Sequence, residues 1–256
     1  MIKRLFLNTD KIGFFLIFSL LLILQRNCLL AENNETGKWV IQDTKGKPVA
    51  RHENSFVECD GKLYLIGGRG IKPVNIYNPE TKEWKEGKKT PIELHHFQAV
   101  AYKGEIYVAG AQTGGYPHEE PVKHIYIYHC EKDEWRKGAV IPEKRRRGAA
   151  GCAIYNDKLY VADKGNKRIQ ILTLFGEFIK EIDISKLGDS TRIMDLEIID
   201  GIIYFSTHAP NKSKKKIYYI DQGHSKIKAC CNISSTTHFT KTKDKVVFIE
   251  WTVKKK

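Results

Sequence analysis

The sequence lacks the marks of most catalytic machinery. It has no CxxC pair, no phosphate-cradling glycine loop, no Ser/His/Asp order and no paired carboxylates at useful spacing. Helical periodicity is absent from residue 32 onward, which excludes a helical architecture. Cysteines are too few and too scattered for a disulfide scaffold, so the fold must rest on an apolar core. About 225 residues can bury one. The long apolar run needed to span a bilayer is missing as well. The longest, "IGFFLIFSLLLIL" from Ile12 to Leu24, is too short for a comfortable span.

That run, preceded by Lys3, Arg4 and Lys11, fits the core of a signal peptide, with cleavage after Ala31. The expected organisation is a signal peptide over residues 1–31 and an exported domain over 32–256. The chain would then be secreted, periplasmic or extracellular, with no membrane span after signal removal. An uncleaved anchor helix is the alternative. Gln25, Arg26 and Asn27 precede Cys28 and are not the small residues that lipid attachment requires. Asn34, Asn211 and Asn232 head glycosylation sequons, as in a glycoprotein. Five cysteines follow residue 31, namely Cys59, Cys130, Cys152, Cys230 and Cys231, an odd count that leaves at least one thiol outside any internal pair.

Charge is strongly one-sided. The formal net charge is +13, of which the first 31 residues carry +3 and the remainder +10. Such a balance favours acidic partners: an anionic glycan, an acidic protein or a small carboxylate. An export signal argues against nucleic acid, and the lysines of "NKSKKK" at Asn211 read as a solvated hairpin. The densest basic stretch, "EKRRRGAAG" from Glu143, runs into very small residues.

What the sequence has in abundance is one repeated phrase: "CDGKLYLIGG", "YKGEIYVAGA", "YNDKLYVADK", "IDGIIYFSTH" and "TKDKVVFIEW". Each is a two-residue turn followed by alternating apolar residues, the signature of a hairpin. With Gly61, Gly104, Asp157, Gly201 and Asp244 as markers, the steps are 43, 53, 44 and 43 residues. A hairpin array of this period predicts a β-propeller or a solenoid array. A second hairpin follows in the first two units, where Tyr77 precedes Trp84 and Tyr128 precedes Trp135, each by seven residues. These rings would pack between neighbouring blades. Ile171 and Phe178 hold the same places in the third unit.

Gly67-Gly68 with Tyr77 and Trp84, and Ala109-Gly110 with Tyr128 and Trp135, resemble the kelch repeat. The third unit looks like an NHL repeat. The resemblance implies an all-β propeller of about five four-stranded blades, with units near residues 50–93, 94–142, 146–186, 191–232 and 235–256. Closure would come from Lys38–Gln42 pairing beside the last unit, because a ring joined through both termini leaves no open edge.

In such a blade the first strand is innermost. Eight to eleven residues before the markers stand Arg51, His52 and Glu53, then His95 and His96, then Arg146 and Arg147, then Arg192. Brought round one axis, they would form a basic channel mouth for an anionic ligand. On the competing reading they satisfy buried backbone groups and water. The ten extra residues of the second unit fall in "AQTGGYPHEEPVKH", Ala111 to His124. That loop would form a rim or lid carrying Tyr116 and His118. No metal is expected, since adjacent strand residues such as His95 and His96 face opposite sides. No cofactor is expected either. Galactose oxidase shares the kelch fold, but its copper and crosslinked-tyrosine pattern has no counterpart here. The main expectation is a non-catalytic binding module. Sialic acid mutarotases suggest an alternative, a sugar mutarotase or lyase in which Glu53 moves a proton and the arginines grip the acid.

Overall fold

The computed structural model describes residues 3–8, 43–188, 192–208, 216–221, 226–232, 237–242 and 245–250. The apolar run 12–24, the expected closing strand Lys38–Gln42, the sequons at Asn34 and Asn211 and the turn 211–215 lie outside them. Among the described residues every regular element is a strand apart from two 3₁₀ turns, Glu143–Arg145 and Ser185–Leu187. No helix among the described residues is long and apolar enough to cross a membrane. The chain divides into two compact units, Val40–Asp189 and Ser190–Lys256 with Met1–Trp39. The first strand of the chain, β1 (Lys3–Asn8), belongs to the second of these.

The unit Val40–Asp189 holds three antiparallel four-stranded sheets. The first is β2 (Asn54–Cys59), β3 (Lys62–Gly67), β4 (Pro73–Asn78) and β5 (Glu83–Lys89), side by side in chain order. The second is β6 (Ala99–Tyr102), β7 (Glu105–Val108), β10 (His124–His129) and β11 (Glu134–Val140). The third is β12 (Cys152–Tyr155), β13 (Lys158–Asp163), β14 (Arg168–Thr173) and β15 (Phe178–Asp183). The insertion of the second sheet makes its own small hairpin from β8 (Gln112–Thr113) and β9 (Glu120–Pro121).

The marker turns explain why these segments fold as blades. Asp60-Gly61, Lys103-Gly104, Asn156-Asp157 and Asp200-Gly201 all have positive φ at both central residues, the type I′ hairpin geometry. That turn matches the right-handed strand twist and fixes register. Alternate residues then face the neighbouring blade. Tyr64, Ile66, Val74, Leu94, Ile106, Val108 and Tyr128 share one buried cluster spanning the first two blades. Ala109, Ile125, Ile127, Ala150, Cys152, Leu159 and Val161 share another spanning the second and third. Each fully buried isoleucine stabilises by about 1.5–3 kcal/mol.

The tyrosine–tryptophan pairs face each other across β4–β5 and β10–β11. Ring centroids are 5.0 Å apart for Tyr77–Trp84 and 5.1 Å for Tyr128–Trp135. Tyr128 also meets Tyr64 of the preceding blade edge-on at 6.1 Å. The third blade departs from this pattern. A bulge shifts its register so that Phe178 pairs with Leu172 rather than Ile171, and Phe178 remains 40% exposed beneath the Arg145 guanidinium.

The unit Ser190–Lys256 with Met1–Trp39 contains one further four-stranded blade of β16 (Arg192–Ile199), β17 (Ile202–His208), β18 (Lys216–Ile220) and β19 (Ile227–Asn232). Beside it in sequence lie β20 (Thr237–Thr242) and β21 (Lys245–Glu250). They form a three-stranded sheet with β1 on the far side of β21. The described residues thus hold four four-stranded blades, three in the first unit and one in the second, not the five expected. Among the described residues after 235, β20 and β21 pair as one hairpin, and Lys3–Asn8 is the third strand of their sheet. Residues just past the expected closing strand lie elsewhere. Lys45 bridges in parallel to Glu83 at the outer edge of the first blade, where Lys45 N–H donates to Lys82 O at 2.9 Å.

Candidate functional site

Three of the anticipated residues meet. Glu53 ends the segment leading into β2, and His95 and His96 lie in the segment leading into β6. Alternation would separate the two imidazoles, but it holds only for extended backbone. His96 is at φ 52 and Glu53 at φ 60, both left-handed, and the His96 N–H donates to Glu53 O at 3.0 Å. This local turn brings the His96 ring back to the side of His95, and their Nδ1 atoms come within 2.8 Å. The expectation that only one of the pair can enter a site is thereby corrected. Oxygens of Glu53 lie 3.9 Å from His95 Nδ1 and 3.4 Å from His96 Nε2. His95 is fully buried. His52 is exposed, with Nδ1 3.7 Å from Glu53.

The long loop completes the cluster. Its hairpin is not a free lid, because Gln112 exchanges both backbone hydrogen bonds with His95, at 2.9 and 2.8 Å. The Gly114 carbonyl then faces His95 Nε2 at 3.0 Å, and Arg69 Nη1 donates to it at 2.9 Å. Arg69, two residues beyond Gly67, bridges the carboxylates of Glu53 and Glu119. Those two hydrogen bonds hold the Arg69 guanidinium above its ordinary pKa. The Arg69 bond, helped by nearby His96, holds the Glu53 carboxyl below its own. Glu93 fastens the back of the loop, accepting from Gly70 N at 2.7 Å and Gly114 N at 3.1 Å. Among the loop residues named beforehand, Tyr116 stands at the tip, 84% exposed, and His118 is exposed with its N–H donating to Gly115 O.

The arginines do not converge on this cluster. Arg51 turns its guanidinium on its own blade, donating to Val49 O at 3.1 Å, Gly67 O at 3.0 Å and Asn75 Oδ1. Arg147 repeats the arrangement in the third blade, reaching Arg145 O at 2.7 Å and Gln170 Oε1 at 3.3 Å. In each case the amide partner lies on the third strand, 24 and 23 residues on. Burial lowers the pKa of both arginines. Arg146 donates to Ile141 O at 3.1 Å, and Arg145 pairs with Glu181 at 3.1 Å while stacking on Phe178. The three arginines of "EKRRRGAAG" thus serve local structure. The small residues after them fit the loop of the preceding blade: a Cβ on Gly148 would lie 2.2 Å from the Gln112 side chain. Arg192 opens β16 in the other unit, exposed and opposite His208.

Sequence reasoning missed Arg69, Glu93 and Glu119. Arg69 carried a signal, since it directly follows the glycine doublet and shares that loop's position. The two glutamates had none, because only the docking of the long loop brings them in.

Residues 50–91 and 94–139 each match a family model of the kelch motif. The chain is similar to the kelch repeat and BTB domain-containing protein 12 of Danio rerio, at 28% identity over 167 residues. That match covers 55% of this chain and 27% of the relative. It is also similar to the kelch-like protein terF of Aspergillus terreus, at 29% over 169 residues, covering 59% of this chain and 35% of that protein. Kelch-like protein 23 of Homo sapiens shares 31% over 121 residues, 45% of this chain and 20% of the relative. The match spans about a third or less of each of these proteins.

Proposed function

We propose that this kelch-repeat propeller is a protein-binding module whose contact surface centres on the loop Ala111–His124. The observation that carries the reading is the anchored hairpin. Backbone bonds to His95 and the Glu93 and Arg69 contacts fix its base, while Tyr116 projects at its tip, 84% exposed. A rigid loop offering a bare aromatic ring loses little entropy on binding and supplies the kind of anchor that dominates interfaces. An acidic protein surface is the preferred partner. That preference rests on the charge of +10 carried from residue 32 onward, since Arg51 and Arg147 are engaged on their own backbone. The relatives are kelch proteins by name, and protein interaction is the reading we extend from the shared repeat.

Partner capture by crosslinking with the full chain, compared with Tyr116→Ser, tests this. The expected outcome is a partner recovered at low salt, weakened by added salt and lost with Tyr116→Ser. Capture indifferent to Tyr116 sinks the loop assignment, and capture indifferent to salt sinks the acidic preference. A glycan array on the same two proteins serves as the test of a carbohydrate ligand. The mutarotase alternative draws no support from the site. Glu53 is engaged by Arg69 and held acidic, which makes it a weak base, and Arg51 does not face it.

Export is part of the same reading, on the strength of the run Ile12–Leu24. Cleavage after Ala31 would remove the strand paired with β21. Mass measurement of the N-terminus of protein recovered from an expressing cell's medium decides it: a start at Glu32 supports export, and an intact Met1 inside the cell overturns it.

A further inference from the structure

We propose that Glu53, His95, His96 and Glu119 form a binding site for a divalent transition-metal ion, zinc by the chemistry of the donors. One ligand atom from each lies within 4.8 Å of all the others. Two imidazoles and two carboxylates make an N2O2 set suited to a borderline ion. Ligand atoms around tetrahedral zinc stand roughly 3.3 Å apart, so small side-chain movements close the site.

Three features of the cluster fit a metal ion. The first is the orientation of His95. Its Nε2 lies 3.0 Å from the Gly114 carbonyl, which can only accept, so the proton sits there and the lone pair of Nδ1 points into the cluster. A backbone carbonyl on the far nitrogen is the usual support of a metal-bound histidine. The second is the hydrogen-bond count at His96. Its Nδ1 faces the lone pair of His95 at 2.8 Å, and its Nε2 faces a Glu53 oxygen at 3.4 Å. A neutral imidazole has one N–H for these two acceptors; a metal ion shared by the two Nδ1 atoms would leave that N–H on Nε2 for Glu53. The third is the backbone. Glu53 and His96 both hold left-handed φ and are joined by a hydrogen bond. Non-glycine residues in that region cost energy and persist where surrounding structure enforces them, often at functional sites.

Arg69 is the built-in competitor. It now bridges Glu53 and Glu119, supplying the positive charge that an ion would otherwise supply. Zinc binding would free the guanidinium from both carboxylates while the Gly114 carbonyl still receives it. The site also ties Glu119 of the long loop to the segments before β2 and β6, so it is separate from any contact made by Tyr116.

Titration of the full chain with zinc chloride, followed by calorimetry, and with cobalt(II), followed by the visible band of the tetrahedral ion, tests the site. One equivalent should bind. His96→Gln and Glu119→Gln, on partly exposed side chains that leave the core intact, should each weaken zinc by more than about tenfold. Arg69→Met should strengthen it by removing the competitor, a gain that a purely structural ion-pair network would not give. His95→Ala should abolish the cobalt band. Absence of stoichiometric binding overturns the proposal, as does zinc affinity unchanged in both His96→Gln and Glu119→Gln. Retained zinc binding in a Tyr116→Ser protein that has lost its partner keeps this result distinct from that of the binding-module reading.

Discussion

The sulfurs of Cys59 and Cys130 lie 3.0 Å apart, joining the end of the first blade's inner strand to the turn after β10 of the second. Both are free thiols, 71 residues apart in the chain. Burial raises the pKa of each, and the mutual contact adds to the rise at Cys59, so attack is slow at neutral pH. Incubation with oxidised glutathione should give one internal Cys59–Cys130 disulfide and two reduced glutathiones per chain. Alkaline pH should speed the reaction. Closing so long a loop should stabilise the unit by on the order of 4 kcal/mol. A non-reducing digest identifies the linked peptide. Mixed glutathione adducts alone, or a bond to Cys152 instead, would contradict the geometry.

Gly67 sits where the chain of the second blade passes the first. It has φ 72, and a Cβ there would lie 2.4 Å from the Leu94 carbonyl oxygen. Gly61 has φ 76 but open space around it. Gly67→Ala should therefore cost on the order of 3 kcal/mol or more, and Gly61→Ala about 1 kcal/mol. Urea midpoints measure both. Equal losses would mean that the close approach of Leu94 is not what requires Gly67.

Arg51 and Arg147 share a position but differ in satisfaction. Arg51 serves carbonyls at Val49 and Gly67, and its loss leaves buried acceptors unpaired. Arg147 is 4% exposed, and its Nε and Nη2 meet no acceptor. Arg51→Met should lower stability by about 1–3 kcal/mol. Arg147→Met, which removes an incompletely paired buried charge, should be close to neutral or stabilising. Thermal denaturation of the two variants is the check, and the reverse order would refute the assignment.

Glu197 on β16 is half-buried, and desolvation, with Asp195 nearby, pushes its pKa up to about 7. Its folded pKa lies above its unfolded one, so the fold binds the proton more tightly. That stability is fully present below about pH 4.5 and is lost as pH rises through about 7. The difference is on the order of 3 kcal/mol. Stability measured from pH 5 to 8 should fall in the wild type, and Glu197→Gln should flatten the curve. An identical slope in both proteins would show that Glu197 is not the titrating group.

The sequence by itself determined the blades. The marker turns at Gly61, Gly104, Asp157 and Gly201 specified type I′ hairpins, and alternation specified which face each residue presents. These are local matters, set by the conformations two turn residues tolerate and by the period of a strand. Glu53, His95 and His96 were legible as candidates for the same reason: each stands at a fixed distance before a marker.

Tertiary structure decided the rest. The left-handed turn at His96 reversed the expected facing of its ring, because φ at one residue overrides strand alternation. Arg51 and Arg147 looked like ligand groups in the sequence, yet backbone carbonyls of their own blades claimed them. Arg69 and Glu119, 50 residues apart, became partners only when the long loop docked on His95. The number of four-stranded blades depended on how many strands pair in each sheet. The repeat count of five could not set that, because the last hairpin takes its third strand from the opposite end of the chain.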